Sequence, residues 1–177
     1  MPTVFSHPAP VLALAALLGG RVSTRMLLFG ILCAVLPDGF RFGISYADAF
    51  GHRGFSHSLA FALLMGCAGF GVAPLFLRGS RLMGFTVGLL AVSSHILLDA
   101  MTNGGLGVAA FWPFDQTRYF CDWRPIRVSP FGLKGLLSQR GLSVMLSELR
   151  WVWAPCLAVI AAALFFGKNP MRAIPRK

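Results

Sequence analysis

The sequence contains few side chains that could do chemistry, and most of them lie in three short motifs. The chain has four histidines and only six acidic residues. Two of the acids, Asp38 and Asp99, lie at the ends of apolar stretches. Neutral imidazole and carboxylate are the usual ligands of Zn²⁺ and related hydrolytic metals. We therefore predict a metal site built from His7, Asp38, His52, His57, His95 and Asp99.

Hydrolysis is the chemistry that such a site would serve. A bound divalent metal lowers the pKa of its water toward about 7, which makes hydroxide available at neutral pH. Arg53, between two candidate ligands, is predicted to bind a phosphate or to stabilise developing negative charge. Asp38 is the candidate general base if it does not bind the metal. The set of donors fits one zinc-type ion with residues to spare, or two ions that share a carboxylate.

Local spacing supports this grouping. His95 and Asp99 are four residues apart, so they lie on the same face of a helix. Near His57, Gly54 favours a sharp turn and Ser56 is the predicted N-cap of the following helix. His57 is therefore expected at a helix N-terminus.

The elements that must position these residues are membrane helices. The chain is 56% hydrophobic and 12% charged, with a mean hydropathy of +0.69. Ordinary soluble domains carry about 25% charged residues, so most soluble globular folds are excluded. We predict an all-α, multi-pass transmembrane bundle of four to five membrane helices plus an interfacial helix. The apolar stretches are Pro10–Gly20, Met26–Pro37, Ser58–Leu77, Leu82–Met101 and Trp151–Gly167.

The order of these stretches places the candidate ligands on one side of the membrane. His7 precedes the first stretch, Asp38 follows the second, His57 precedes the third, and His95 and Asp99 lie at the end of the fourth. The first two stretches are short, and they form either two short spans or one re-entrant hairpin. In both alternatives the chain returns to the same side of the membrane after the second stretch. The ligands are therefore expected to share one membrane face.

We interpret the chain as a single integral-membrane domain. Residues 1–101 form the helical core, 102–150 a long connection, 151–167 the last membrane helix and 168–177 a basic tail. Within the connection, the apolar spacing of Phe131–Leu149 predicts one helix, either in the membrane interface or packed on the bundle. Residues 1–8 lack the basic residues of a signal sequence, so we expect the N-terminus to be retained.

The motifs resemble those of a known family. They are LPDGF at Leu36–Phe40, HRGFSHS at His52–Ser58, SHILLDAMTNGG at Ser94–Gly105 and FWPF at Phe111–Phe114. Together they resemble the membrane-bound metal-dependent hydrolases, also described as LexA-binding, inner-membrane-associated (YdjM-like) hydrolases. The resemblance covers His7 to about Gly132. It implies a location in the bacterial inner membrane and a metal-dependent hydrolase activity.

The resemblance also assigns positions. The six candidate ligands fall on the family's motif positions, and Arg53, Thr102 and Gly105 match other positions of its motifs. The family often has a second Asp where this chain has Phe40, and Asp48 is the alternative carboxylate for a second metal. The order of ligands is similar to that in zinc-dependent phospholipase C and P1-type nucleases. This favours a phosphoester substrate, and a membrane-embedded site favours a lipid.

Other functions remain open at this point. A non-enzymatic adaptor or stress-response protein would use the polar cluster for structure and would bind a protein partner. A small transporter would need a polar path, and Ser58–Leu77 offers no polar positions deep within it. The net charge of +10 comes from scattered basic residues that we assign to membrane flanks, so no nucleic-acid partner is expected. The expected partners are membrane lipids.

Overall fold

The computed structural model describes residues 1–39, 48–130 and 132–167. Within these ranges the protein is helical, and the β-structure is limited to isolated bridges such as Thr102 to Ile126. This confirms the predicted all-α bundle. The helices are α1 (Pro8–Leu18), α2 (Thr24–Gly39), α3 (Leu59–Val72), α4 (Arg81–Ala100), α5 (Gly132–Leu136), α6 (Gln139–Glu148) and α7 (Ala154–Phe166).

Three helical segments of the described ranges are long and apolar enough to cross a membrane. They are Leu59–Leu77, Arg81–Ala100 and Gln139–Phe166, with 19, 20 and 28 residues. At about 1.5 Å per residue each reaches the roughly 30 Å of a hydrocarbon core. The last span has only 6% of its most apolar window buried inside the protein. Most side chains of that window therefore lie on the outer surface of the bundle.

Helices α3 and α4 cross at glycines. A Cβ added to Gly69 would lie 2.2 Å from the carbonyl oxygen of Gly84, and one added to Gly88 would lie 2.4 Å from that of Met65. Small residues let membrane helices approach until their backbones touch, which increases the dispersion contacts that hold them together. This crossing brings the N-terminus of α3 close to the C-terminus of α4, where the candidate ligands lie.

The first two helices are shorter than a full span. Helix α1 has 11 residues and α2 has 16, and a tight turn at Gly19–Arg21 joins them. Buried small and β-branched side chains, including Val11, Ala34 and Ala91, pack them against α4. Both interpretations of this pair, two short spans or a hairpin, fit these lengths.

The segment predicted as one interfacial helix has a different organisation. Phe131 lies outside the described residues, and the remainder forms α5 and α6, which are separated at Leu137–Ser138. Ser138 caps α6 by accepting a hydrogen bond from the amide of Gly141 at 3.3 Å. A side-chain cap of this kind marks the start of a separate helix. The prediction of a single helix over Phe131–Leu149 is therefore wrong.

Helix α6 also continues into the last membrane helix. A π-helical turn at Leu149–Trp153 links α6 to α7, so Gln139–Phe166 is one continuous span. Pro155 follows this turn. Because proline cannot complete the regular backbone ladder, a wider turn just before it accommodates the ring. The boundary placed at residue 150 from the sequence thus lies inside a helix.

The connection between α4 and α5 covers one end of the bundle. Its backbone pairs with the end of α4, where the amide of Cys121 donates to the carbonyl of Ala100 at 3.0 Å. Trp112 packs edge-on against Phe50 and Phe55, with ring centroids 5.7 and 4.7 Å away. These contacts hold the segment that carries His52 and His57 against the bundle.

Candidate metal centre

Helix direction brings the candidate ligands together at the covered end of the bundle. His7 immediately precedes α1, Asp38 lies in the last turn of α2, and His57 precedes α3, while α4 carries His95 and Asp99 near its C-terminus. Because consecutive helices alternate in direction, these five positions meet at one end. The side chains of His7, His57, His95 and Asp99 are 0% exposed.

Four of the predicted ligands form a compact donor group. Asp38, His57, His95 and Asp99 each offer a ligand atom, and these atoms all lie within 4.8 Å of one another. The Nε2 atom of His57 is 3.0 Å from Nε2 of His95 and 3.3 Å from Oδ2 of Asp99. Oδ1 of Asp38 lies 3.7 Å from Nε2 of His57 and 3.8 Å from Nε2 of His95.

These separations fit a small divalent cation. Zinc binds nitrogen and oxygen at about 2.0–2.1 Å in tetrahedral geometry, which places neighbouring donor atoms about 3.3–3.4 Å apart. Four of the donor separations, 3.0–3.8 Å, bracket that value, and all four ligand atoms lie within 4.8 Å of one another. The two imidazole nitrogens, 3.0 Å apart, and the two carboxylates all converge on the same point.

The buried polar atoms of the cluster lack enough protein partners. Among the described residues, neither carboxylate oxygen of Asp38 has a hydrogen-bond partner, and the same holds for Oδ1 of Asp99 and both ring nitrogens of His7. Leaving a buried polar group unpaired costs about 1–3 kcal/mol, and more when the group is charged. A cation at the convergence point would satisfy several of these atoms together.

His7 lies against the donor group as a fifth residue. Its ring stacks on that of His95, with centroids 3.8 Å apart and planes at 21°. Its Nε2 atom is 3.6 Å from Oδ2 of Asp38 and 4.0 Å from Oδ1 of Asp99. The position suits a ligand to a second ion, or a residue that orients the two carboxylates.

The rings of two ligands are oriented through their other nitrogen. Nδ1 of His95 is 2.7 Å from the carbonyl oxygen of Ala34, and Nδ1 of His57 is 3.0 Å from the hydroxyl of Ser56. Such contacts fix the tautomer and direct Nε2 toward a metal. The Ser56 hydroxyl also donates to the carbonyl of Pro37 at 3.1 Å, which ties the segment to α2.

Ser56 is not the N-cap of α3, so that prediction is wrong. The residues Phe55–His57 form a short 3₁₀ turn, and α3 begins at Leu59. Ser58 is the cap, because its hydroxyl accepts a hydrogen bond from the amide of Phe61 at 3.1 Å. The extra turn frees Ser56 to contact His57.

Arg53 is fully buried and bonded to Asp99. Its Nε donates to Oδ2 of Asp99 at 3.0 Å, while Nη2 donates to the hydroxyl of Thr102 at 2.8 Å and Nη1 to the carbonyl of Gly104 at 3.0 Å. The backbone of Arg53 has a φ of 64°, a conformation that costs a non-glycine residue energy and is often found at functional sites. The catalytic role predicted for Arg53 stays a prediction, and the observed contacts position Asp99.

His52 lies next to the donor group and outside it. Its ring meets that of His57 edge-on, with centroids 5.3 Å apart, and its backbone carbonyl accepts a hydrogen bond from Arg118 at 3.1 Å. No sequence pattern singled out Arg118. Asp48 is exposed and lies outside the donor group, and Phe40 lies outside the described residues. The metal-ligand role of His52 stays a prediction.

Glu148 is a buried acid near the C-terminus of α6. It is only 3% exposed. It accepts hydrogen bonds from the amide and the hydroxyl of Thr3, both at 2.5 Å, and from the hydroxyl of Ser6 at 2.6 Å. It thereby anchors the segment that ends at His7. In the sequence, the feature that could have indicated this role is that Glu148 is a single acid just before the last apolar stretch.

Burial and the two carboxylates act in opposite directions on the pKa values of His57 and His7. Burial disfavours the charged form of His57, but Asp38 and Asp99 outweigh this effect and raise the pKa of His57. At His7 burial prevails over the same carboxylates and lowers the pKa. The neutral imidazole, which is the form that binds metals, is therefore favoured at His7.

The sequence matches a family of membrane proteins along nearly its whole length. A family model described as YdjM inner membrane protein matches residues 1–171. The chain belongs to the YdjM family. Inner membrane protein YbcI of Escherichia coli (strain K12) is 40% identical over 160 residues, which cover 88% of this chain and 92% of YbcI.

Inner membrane protein YdjM of the same organism is 37% identical over 112 residues, covering 61% of this chain and 48% of YdjM. The match thus spans about half the length of YdjM. No solved structure matches. The predicted YdjM-like family and the inner-membrane location are confirmed, and this family member is an integral membrane protein. The names of the relatives state a location and no reaction, so the hydrolase activity stays a prediction.

Proposed function

We propose that this YdjM-family protein is a membrane-embedded, metal-dependent hydrolase that acts on a phosphoester or lipid-type substrate. The observation that carries the proposal is the convergence of Asp38, His57, His95 and Asp99, whose ligand atoms lie within 4.8 Å of one another in a buried site. These four residues would hold one divalent cation, with Zn²⁺ the best match to two imidazoles and two carboxylates. A second ion would need His7 as a further ligand.

A divalent cation bound there would activate water for attack and polarise an ester oxygen. The residues of this chain supply the surroundings. Arg53 holds Asp99 through Nε, and Ser56 and the carbonyl of Ala34 orient the rings of His57 and His95. Asp38 has two carboxylate oxygens without hydrogen-bond partners in the described ranges, so one oxygen remains available to accept a proton as general base.

Elemental analysis of the protein purified in detergent tests the metal. We expect about one zinc-type ion per chain, because the donor set matches a single tetrahedral site. His57→Ala and Asp99→Ala should lose the metal. Asp122→Ala is the matched control, since Asp122 is exposed and lies outside the donor group. A correctly folded wild-type protein without metal would disprove the proposal.

The second candidate is a non-enzymatic membrane protein whose cluster is structural. Complete burial of the His57, His95 and Asp99 side chains favours it, because structural metal sites are closed by protein ligands whereas catalytic sites keep a position open. Hydrolysis assays with a chromogenic phosphomonoester and with phospholipids separate the two. The hydrolase predicts metal-dependent turnover that His57→Ala abolishes. The structural candidate predicts bound metal, no turnover and a lower thermal stability of His57→Ala.

A further inference from the structure

A large cavity adjoins the candidate metal centre. Its volume is about 1000 Å³, at the upper end of the roughly 300–1,000 Å³ that small-molecule sites occupy. The residues before His7, the turn after Gly104 and the α5–α6 region form its walls. The lining residues that matter here are Phe5, His52, Leu106, Val128, Leu136 and Arg140.

His52 connects this cavity to the donor group. His52 lines the cavity, and its ring centroid is 5.3 Å from that of His57. The metal-binding side chains themselves are almost completely covered. His52 therefore lies between a molecule in the cavity and the donor group.

The cavity continues into an apolar groove along the last membrane span. This groove has a volume of about 410 Å³ and shares Phe5 and Leu136 with the cavity. It ends beside Leu149 and Trp153, at the junction of α6 and α7. Phe5, in the segment before α1, is 68% exposed, and Leu149, on the last membrane span, is 53% exposed. The groove is thus open to the acyl chains of the bilayer.

Another part of the cavity wall carries positive charge. Arg140 lines both the cavity and a recess of about 260 Å³ that also contains Arg127. Neither guanidinium has a carboxylate within 4.0 Å in the described residues, which include every acidic residue of the chain. Paired guanidiniums with free donors are suited to a phosphate group, which they bind through several hydrogen bonds at once.

We propose that this cavity binds a single-chain lipid that carries a phosphate. The acyl chain would lie along Phe5 and Leu136 in the groove, and the phosphate would lie between His52 and Arg140. The groove lined by Phe5 and Leu136 leads from the cavity toward lipid, and it would accommodate one acyl chain. The inference deepens the proposed function, because such a lipid would present its phosphoester beside the metal centre.

Native mass spectrometry of the detergent-solubilised protein tests the binding. The probes are lysophosphatidic acid, a monoacylglycerol with the same chain, and inorganic phosphate as competitor. We expect one lysophosphatidic acid per chain, monoacylglycerol binding weaker by about tenfold or more, and no displacement by equimolar phosphate. Equal binding of both lipids would show a purely apolar site. Displacement by phosphate would show an anion site without a chain-binding groove, and either result would overturn the proposal.

Variants separate the two ends of the site. Leu136→Trp and, independently, Leu106→Trp fill the cavity and should weaken binding of both lipids by about tenfold. Leu64→Trp, on the exposed face of α3, is the control. Arg140→Ala should weaken only lysophosphatidic acid, again by about tenfold, whereas the exposed Arg21→Ala should leave it unchanged. Unchanged binding in both tryptophan variants would refute the assigned cavity.

Metal content measured on the same samples distinguishes this inference from the proposed function. Protein that binds the lipid but no metal would refute the hydrolase and leave the lipid site standing. Protein that holds metal but fails to bind the lipid would refute the lipid site alone.

Discussion

At the scale of single residues, Arg53 is the side chain that most directly fixes Asp99. Its three hydrogen bonds leave in three directions, to a carboxylate, a hydroxyl and a carbonyl. A planar guanidinium can satisfy all three, whereas the ammonium of lysine is a single point of charge. The left-handed backbone at Arg53 costs conformational free energy, and lysine would have the same cost. Replacing Arg53 by lysine therefore tests the side chain alone.

We expect Arg53→Lys to lower the metal affinity by about 10–100-fold, the range typical for residues that orient metal ligands. Competition with a chelator of known affinity measures this in detergent. Arg21→Lys, at an exposed arginine in the turn between α1 and α2, is the matched exchange and should have no effect. Wild-type affinity in Arg53→Lys would show that Asp99 does not depend on this side chain for its orientation.

Residue types and spacing were sufficient to predict the donor group because histidine is scarce in this chain. Asp38, His57, His95 and Asp99 were all selected from the sequence and all converge. The exact cap of α3 could not be predicted, since Ser56 and Ser58 are equally good capping residues and only the 3₁₀ turn decides between them. Long-range partners such as Arg118 and the carbonyl of Ala34 carry no sequence signal.

At the scale of elements, the segment before α1 depends on the last membrane span. Glu148 accepts three hydrogen bonds from Thr3 and Ser6, and Ser6 also accepts one from the indole of Trp153 at 3.2 Å. No basic side chain lies within 4.0 Å of Glu148 in the described part of the chain. These hydrogen bonds therefore stabilise the buried carboxylate, and the carboxylate in turn holds His7 in place.

Replacement of Glu148 by alanine should destabilise the protein and weaken metal binding together. The change leaves buried donors of Thr3 and Ser6 unpaired, which predicts a loss of about 2–4 kcal/mol in the free energy of unfolding. Glu148→Gln keeps one acceptor and should retain part of that stability. Thermal unfolding followed by tryptophan fluorescence gives the comparison, with exposed Gln139→Ala on the same helix as control. If Glu148→Ala is as stable as the control, the hydrogen bonds of Glu148 do not contribute to the free energy of unfolding.

At the scale of the whole molecule, the direction of each helix places the site. Alternation of the apolar stretches predicted that the ligands share one end of the bundle, and the short distances among them agree. The sequence did not predict that α6 and α7 form one continuous span, because Arg150 interrupts the apolar pattern exactly where the helix continues. Helical continuity there depends on backbone hydrogen bonds and not on hydropathy.

The distribution of charge predicts which face of the membrane carries the site. The short connections at the opposite end, together with residues 168–177, hold eight of the 16 basic residues and none of the six acids. The other eight basic residues lie mostly in long connections, which have less influence on orientation than short ones. Because basic residues near the ends of spans stay in the cytoplasm, we expect a cytoplasmic C-terminus and a metal centre on the outer side.

Reporter fusions at positions 80 and 177 measure this orientation. Both should report the cytoplasm, with fluorescence from a fused green fluorescent protein and no activity from a fused alkaline phosphatase. Phosphatase activity at both positions would reverse the orientation and place the centre in the cytoplasm. The result also decides which leaflet supplies a lipid to the cavity, because the groove beside Trp153 and the metal centre lie at the same end of the bundle and are reached from the same leaflet.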